Sequence, residues 1–277
     1  MTLPPPSVTD SVPSSGWSPK NMFSISSTGR NVVQAVREKM TSILPSQLAN
    51  AGSGGAMDEP NISYEKLAAR HAPEVLQLLL THFRPDEPTN NAVQLKDEDA
   101  LKAFMDWIHD SVMDQISFVA IDATANKVVA CRLNSIHLED KPYATDSVKY
   151  PPKMMLVWNY ISALGSGITS FLPSNTLGRP RKLLKLEIVC VNPQYRRRGI
   201  AQRLLELTLA LASREQYDYI YATATSHKTY KLFLKLGFES LKSISYADYT
   251  DPTTGTKPFE QISEQDIAGY LLMKKVD

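Results

Sequence analysis

The 277-residue chain has few cysteines, little excess charge of either sign and no long apolar run. Its two cysteines, Cys131 and Cys190, are too few for a disulfide scaffold and favour a reducing compartment. Lys and Arg number 30 and Asp and Glu number 29, so the net charge of +1 argues against a protein that mainly binds nucleic acid or an anionic membrane. The apolar run at 185–191 is far shorter than the roughly 18–20 residues that cross a bilayer.

The first twenty residues also lack the features of a targeting signal. They contain one Lys, no Arg and no apolar core, so neither a secretory signal nor a transit peptide is indicated. The C-terminal sequence Lys-Lys-Val-Asp matches no anchor or retrieval signal. We therefore expect a cytoplasmic protein without a membrane span, and we expect it to be a monomer.

Composition divides the chain into a tail and a domain. Residues 1–60 are rich in Pro, Ser, Gly and Thr, and too poor in apolar residues to offset the entropy of ordering, which predicts a disordered segment. Apolar residues at helical spacing over 31–44 predict a short helix there, either a marginal helix in a flexible tail or a helix for a partner or membrane surface. The pattern of a folded domain covers 61–277.

Within this domain, apolar periodicity predicts strands and helices in alternation. The predicted strands cover 62–67, 117–121, 127–136, 183–191, 217–224, 238–246 and 269–276. The predicted helices cover 72–83, 97–113, 154–164, 199–214 and 226–236, and polar loops are predicted at 84–90 and 165–181. This order is typical of an α/β or α+β fold.

The turn after the strand at 183–191 contains a candidate phosphate-binding motif. Pro193 ends the strand, and a run of Arg residues leads to Gly199 at the predicted helix start. Gly199 and Ala201 leave the backbone accessible, and the unpaired N–H groups of a helix N-terminus attract anions. Cationic side chains at Arg196, Arg197, Arg198 and Arg203 would add charge for outlying phosphates. A solvated basic turn before an ordinary helix is the alternative interpretation.

The spacing Arg196-x-x-Gly199-x-Ala201 resembles the acetyl-CoA-binding motif of the GNAT superfamily of N-acetyltransferases. The segment 226–238, which ends in Lys-Leu-Gly-Phe, resembles the last helix of that family. The resemblance covers about 61–277 and implies a mixed, mostly antiparallel central sheet flanked by helices. It also implies that acetyl-CoA is the acyl donor and that the cofactor-binding residues are Ile188, Val189, Cys190, Val191, Arg196, Arg197, Arg198, Gly199, Ile200, Ala201, Ser226 and Tyr230.

A narrower resemblance concerns the acceptor. The segment 83–90, with its Asp-Glu-Pro sequence, is similar to a loop of invertebrate arylalkylamine (dopamine-type) N-acetyltransferases. Shorter pieces at 226–227, 246–249 and 257–259 resemble the same subgroup in the same order. This implies direct transfer of acetyl to a small arylalkylamine such as dopamine, tyramine, octopamine, tryptamine or serotonin. Acetylation of a protein or polyamine amine, or an acyl-CoA sensor without turnover, are the alternatives.

The amine arrives as a cation and must lose a proton before it attacks the thioester, which requires a base. The resemblance assigns this role to Glu87, and the alternative is an acidic turn residue whose loop is set by Pro85 and Pro88. Asp86 is expected to hold the loop or cap a backbone group.

The resemblance also implies that the strand at 183–191 parts from its neighbour and offers backbone N–H groups to the thioester carbonyl. The side chain of Cys190 is then expected to pack in the core, because no base is positioned to activate it as a nucleophile.

The leaving thiolate needs a proton or a strong hydrogen bond. Relatives place a Tyr four residues before the Gly of Lys-Leu-Gly-Phe, and this chain has Phe233 there. The remaining hydroxyl candidates are Thr225, Ser226, Thr229 and Tyr230, with His227 as a possible relay. Ser226 could equally serve as a helix N-cap.

An aromatic substrate requires an apolar pocket, for which composition offers candidates in the region 139–182. They are Tyr143, Tyr150, Met154, Met155, Trp158 and Tyr160, and ordinary core packing is the alternative for each. Because His and Cys show no metal-ligand spacing, no metal is expected.

Overall fold

The structure is a computed structural model that describes residues 61–140, 149–262 and 265–276. The tail at 1–60, with the helix predicted at 31–44, lies outside the described residues, as does Tyr143. Within the described part of the chain, no helix is long and apolar enough to cross a membrane.

One sheet of seven strands organises the described residues. The spatial order is β1-β2-β3-β4-β5-β7-β6, and every neighbouring pair is antiparallel except β4 and β5, which are parallel. The predicted mixed, mostly antiparallel sheet is therefore confirmed. The strands are β1 (Ile62–Lys66), β2 (Phe118–Asp122), β3 (Lys127–Leu138), β4 (Lys182–Val191), β5 (Tyr219–Ala224), β6 (Glu239–Ser245) and β7 (Ala268–Lys275).

The parallel pair β4 and β5 separates part-way along its length. Its ladder runs from Leu183 opposite Tyr219 to Leu186 opposite Ala222 and then ends. Both strands continue beyond that point, β4 as far as Val191. N–H groups of residues 187–191 that point away from β3 have therefore lost β5 as a hydrogen-bond acceptor. A register shift between β3 and β4 leaves Glu187 without a cross-strand partner at the same level.

In the described part of the chain, six α-helices flank the sheet. They are α1 (Ala72–Leu78), α2 (Pro88–Ala92), α3 (Asp97–Asp114), α4 (Pro152–Gly165), α5 (Ile200–Arg214) and α6 (His227–Lys235). Pro occupies the first turn of α1, α2 and α4, where its missing N–H costs no helical hydrogen bond. A five-residue π-helical turn, Leu79–Phe83, extends α1, so this helix covers the predicted range 72–83.

The helices cover the two faces of the sheet and form the two larger of three apolar cores in the described residues. On one face, α1, α3 and α4 pack on the β-strands around Leu76, Phe104 and Tyr160. On the other face, α5 and α6 contribute Leu204 and Phe233, respectively. The apolar residues of α5 recur at helical spacing, as expected for a helix that buries one stripe.

One local feature differs from the sequence-based expectation, and another lies beyond it. The segment 84–90, predicted as a loop, includes the start of α2, because Glu87 caps a short helix that Pro88 begins. The last strand, β7, is predicted as a strand without a position in the sheet, and the structure has it between β5 and β6. Local patterns indicate which segments are strands, whereas strand order depends on long-range pairing. Apolar periodicity therefore does not predict the position of β7, and it does not predict a helix as short as α2.

Candidate active site

A pocket opens where β4 and β5 separate, and it reaches both the strand backbones and the helices above them. Its apolar wall comes from α1, α3, α4 and α6, and consists of Phe83, Phe104, Trp107, Met154, Val157, Trp158, Ile161 and Phe233. Its strand wall contains Leu186, Ile188, Val189, Thr223 and Ala224. Its remaining polar lining consists of Glu87, Asn90, Arg132, Glu187, Thr225 and Thr229. Residues from distant parts of the sequence thus meet at the open end of the β4–β5 ladder.

Glu87 is held by the helix that it caps. Its Oε2 accepts a hydrogen bond from the backbone N–H of Asn90 at 2.8 Å and another from the Thr89 hydroxyl. Its Oε1 is buried and has no hydrogen-bond partner among the described residues. One carboxylate oxygen therefore fixes the side chain, and the other remains free in a pocket wall.

Burial raises the pKa of Glu87 above its usual range. The Thr225 hydroxyl, the Thr89 hydroxyl and the N–H groups at the α2 start oppose this rise. The Thr225 hydroxyl shares the pocket with this carboxyl group but makes no hydrogen bond to it, since Oε1 stays unpartnered among the described residues. A carboxylate with a raised pKa is a stronger base toward an incoming ammonium group than an exposed carboxylate.

The apolar wall is a chain of aromatic rings. Ring centroids lie 5.9 Å apart between Phe83 and Phe104, 5.7 Å between Phe104 and Trp107, and 6.2 Å between Trp107 and Trp158. These separations are typical of favourable aromatic contacts. Such a wall suits a flat apolar group better than a flexible charged chain.

Among the aromatic-pocket candidates, Met154 and Trp158 line the pocket. Tyr150 contacts Trp158 from the outer side, with ring centroids 5.8 Å apart. Tyr160 belongs instead to the core: its hydroxyl donates to the Ile244 carbonyl and accepts from the Gly269 N–H, both at 2.7 Å. Met155 does not line the pocket.

The basic turn before α5 presents unpaired backbone donors. Gly199 occupies the N-cap position with φ of +73°, and an added Cβ would meet no atom within 4 Å. In the described residues, no acceptor bonds the N–H groups of Ile200, Ala201 and Gln202. The side chain of Ile200 is buried under the helix, whereas Ala201 is partly exposed. The N-terminus of α5 is therefore open to an anionic ligand.

The neighbouring arginines differ in their contacts. Arg196 forms an ion pair with Asp86 at 2.9 Å, so the basic turn is tied to the loop before Glu87. The guanidinium of Arg198 lies 5.7 Å from the centroid of the Tyr195 ring. Arg197 is exposed and has a left-handed backbone with φ of +63°. These side chains surround the free N–H groups with positive charge.

On β4, Ile188 and Val189 line the pocket, whereas the Cys190 side chain lies in the core. Burial raises the pKa of the Cys190 thiol to about 12, which keeps the thiol protonated at neutral pH. Val191 packs at the margin of the opposite core. This stretch of β4 therefore contributes backbone and apolar surface rather than a nucleophile.

The start of α6 provides the predicted hydroxyl groups, but they do not all face the pocket. Thr225 and Thr229 line it, as does Phe233. Ser226 is the N-cap of α6: its Oγ accepts from the Thr229 N–H at 3.3 Å and donates to the Thr229 hydroxyl at 2.9 Å. Tyr230 stacks on Tyr270 with centroids 3.9 Å apart, outside the pocket lining.

Sequence reasoning missed several pocket residues, above all Arg132 and Glu187. Each is a charged residue between two apolar neighbours in a strand, which is the one signal in the sequence that could have identified it. Phe83, Phe104 and Trp107 fall within predicted helices, and Asn90 falls within a predicted loop. No group of His, Cys, Asp and Glu in the described ranges could hold a metal ion.

Comparison with known proteins agrees with this geometry. Residues 162–240, which include β4, α5, β5 and α6, match the family model for an acetyltransferase (GNAT) domain. This match assigns residues 162–240 to a GNAT acetyltransferase domain.

Solved structures show the same fold. Arylalkylamine N-acetyltransferase 2 from Aedes aegypti is 20% identical with a TM-score of 0.65, over 78% of this chain and 100% of that one. The C-terminal condensation domain of Ebony, solved with beta-alanyl-dopamine, is 17% identical with a TM-score of 0.67, over 79% and 100%. Polyamine N-acetyltransferase from Drosophila melanogaster is 18% identical with a TM-score of 0.64, over 78% and 100%. At these identities the likeness establishes the fold and leaves the acceptor open.

Proposed function

We propose that this GNAT acetyltransferase transfers acetyl from acetyl-CoA to the primary amine of a small arylalkylamine, such as dopamine, tyramine, octopamine, tryptamine or serotonin. The observation that carries the proposal is the free Oε1 of Glu87, buried in an aromatic-lined pocket at the opening between β4 and β5. An arylalkylamine has the two matching parts, a flat apolar ring and a cationic amine one short chain away.

The donor side of the site fits acetyl-CoA. The open N-terminus of α5 provides three N–H groups, at Ile200, Ala201 and Gln202, for the pyrophosphate. Arg196, Arg197 and Arg198 provide charge around it. The pantetheine arm would then follow the gap between β4 and β5 toward the pocket, where β4 N–H groups lack an acceptor.

The chemistry proposed for these residues is direct transfer in a ternary complex. Glu87 takes a proton from the ammonium group, which frees the nitrogen lone pair to attack the thioester carbonyl. Free N–H groups of β4 stabilise the oxyanion that forms on the carbonyl oxygen. The aromatic wall holds the ring of the amine so that its nitrogen lies near the carbonyl carbon.

A polyamine or agmatine acceptor is the second candidate, because a second carboxylate, Glu187, lines the same pocket. Glu187 is already engaged: its Oε2 pairs with Lys185 at 2.8 Å and its Oε1 accepts from Ser135 at 2.7 Å. An extended dication would have to displace these partners. The arylalkylamine therefore remains the better match.

The test is a screen of the purified full-length chain for thiol release from acetyl-CoA with arylalkylamines, agmatine, spermidine and a peptide N-terminus. We expect kcat/KM for the preferred arylalkylamine to exceed that for agmatine and spermidine by at least about tenfold, which corresponds to about 1.4 kcal/mol of transition-state binding. A polyamine or peptide preference would overturn the acceptor class. Tight acetyl-CoA binding without turnover on any amine would instead identify an acyl-CoA sensor.

A further inference from the structure

Arg132 on β3 is a buried cation that the proposed chemistry has not used. Its side chain is only 3% exposed and lines the pocket. Its Nε and Nη2 atoms are buried and have no hydrogen-bond partner among the described residues. The guanidinium carbon lies 5.7 Å from the centroid of the Phe233 ring, on the α6 side of the pocket.

The other buried cations described here are partnered, which makes Arg132 distinct. Arg181 bonds the Glu139 carboxylate and two backbone carbonyls, and Lys185 pairs with Glu187. Two titratable groups act on Arg132, namely the Cys131 thiol beside it and the Glu187 carboxylate. Burial lowers the pKa of Arg132 to about 9, so the group still carries its charge at neutral pH.

An unpaired guanidinium in a pocket wall is costly, and the fold gains no hydrogen bond through these two nitrogens. Such a group becomes favourable when a ligand places negative charge beside it. In acetyl transfer the thioester is neutral before the reaction, and the departing sulfur becomes an anion. Interactions that exist only once that charge develops lower the barrier rather than merely tighten binding.

We propose that Arg132 is a catalytic residue that binds the CoA thiolate as it leaves. The inference rests on the proposed function. The amine nitrogen forms a bond to the carbonyl carbon, and the C–S bond breaks with its electron pair on sulfur. The nitrogen loses two protons in all, one before attack and one after, which pass through Glu87 to solvent. The products are the amide and a thiolate paired with the guanidinium.

Phe233 is consistent with this assignment, because its side chain has no proton to donate to the sulfur. The ring instead packs on the guanidinium and on Phe238, with ring centroids 4.9 Å apart in the second contact. Phe233 is therefore a positioning residue that keeps Arg132 directed at the pocket and excludes water from it.

The test compares the affinities of CoA and dethio-CoA, which differ only in the sulfur, for the full-length wild type, Arg132→Met and Arg132→Lys at one mildly alkaline pH. We expect the wild type to bind CoA at least about tenfold more tightly than dethio-CoA. We expect Arg132→Met to lose this difference while retaining affinity for dethio-CoA, and Arg132→Lys to recover part of it. The ultraviolet absorbance of the thiolate should grow when CoA binds the wild type but not when it binds Arg132→Met.

Arg181→Met is the matched control, since it removes a buried Arg that does not line the pocket, and its CoA preference should equal that of the wild type. An affinity ratio of CoA to dethio-CoA that is the same in Arg132→Met as in the wild type would overturn the inference. So would a wild-type preference for acyl-CoA donors with a terminal carboxylate that Arg132→Met abolishes, because the guanidinium would then bind the acyl group.

The proposed role of Arg132 also predicts an effect of its substitution on kcat. Removal of the charge in Arg132→Met should lower kcat by about 10²–10³ with little change in the KM of the amine, as for the loss of one preorganised oxyanion donor. If no CoA derivative binds at all, the proposed function fails together with the inference. If CoA shows its thiol-dependent affinity but no tested amine reacts, the binding of the CoA thiolate by Arg132 stands, and both its catalytic role and the acceptor class fail.

Discussion

At the residue scale, the candidate site contains two ionisable side chains that line one pocket and have unpartnered atoms. Glu87 keeps one carboxylate oxygen free because its other oxygen caps α2. Arg132 keeps two nitrogens free because β3 offers them no acceptor. A fold under selection for stability alone would pair or remove both groups, and retention of unpaired polar atoms is typical of functional sites.

Glu87→Gln is expected to lower kcat/KM by about 10²–10⁴, the usual contribution of a positioned base. The amide oxygen can still accept from the Asn90 N–H, so α2 should keep its cap. Because burial raises the pKa of Glu87, the acid limb of the wild-type rate profile should lie above the ordinary Glu range. A pH–rate profile measures both effects.

Glu206→Gln, a change to an exposed carboxylate on α5, serves as the control and should leave the profile in place. An acid limb that survives Glu87→Gln unchanged would remove Glu87 from the role of base.

The same substitution should raise stability at neutral pH. The pKa of Glu87 is raised in the folded state, so the native protein binds its proton more tightly than the unfolded chain does. The contribution of Glu87 to the free energy of unfolding is fully present below the ordinary Glu pKa, and it is lost as pH rises through the folded-state pKa. Thermal melts should therefore show Glu87→Gln above the wild type at pH 8, with the gap closing as pH falls. A gap that widens at low pH would contradict the assignment.

At the scale of elements, the sequence predicts most helices and strands but not the way they meet. Amphipathic periodicity identifies α3, α4 and α5 to within one or two residues, because each helix buries a single stripe. Strand order depends on long-range pairing, so the position of β7 in the sheet could not be predicted from the sequence. Glu87 and Thr225 were predicted as site residues from the family resemblance, and both line the pocket. Arg132 was not, because its importance lies in partners that it lacks, which no local pattern records.

Gly199→Val tests the N-terminus of α5. Gly199 has φ of +73°, so a side chain there costs about 1–2 kcal/mol in backbone strain. The valine side chain would also stand beside the free N–H groups of residues 200–202 and block a phosphate. We expect a modest fall in melting temperature and a large loss of acetyl-CoA affinity by calorimetry.

Gly178→Val is the control that separates backbone strain from the blocking of a phosphate site. Gly178 has φ of +69° and open space around it, but lies in the loop before β4 rather than at the α5 start. It should lower stability to a similar degree and leave acetyl-CoA affinity intact. Equal affinity in both variants would count against a phosphate site at α5.

At the scale of the whole molecule, the near-neutral net charge conceals a local concentration of positive charge. Four of the 30 basic residues fall within positions 196–203, at one helix start. One small polyanion can bind there although the surface as a whole would not attract a nucleic acid. The two cores on either face of the sheet are likewise built from residues after position 61.

A chain that begins at residue 61 is therefore expected to fold and to retain activity. All seven described strands and both cores survive this deletion, so its melting temperature should stay within about 3 °C of the full chain, a change of less than about 1 kcal/mol for a domain of this size. Circular dichroism melts and kcat/KM of the two chains provide the measurement. A truncated chain that aggregates or loses turnover would show that residues 1–60 belong to the functional unit.

The insertion of β7 between β5 and β6 has a consequence for biosynthesis. β7 is the sheet neighbour of β6, and it also pairs with β5 on the side away from β4. In the sequence, however, β7 comes after all the other described strands. While a ribosome is still making residues 268–275, β1 to β4 can already pair, but β6 has no strand to join. β6 must therefore wait until those residues have left the exit tunnel, and until then the edges of β5 and β6 need protection from other nascent chains.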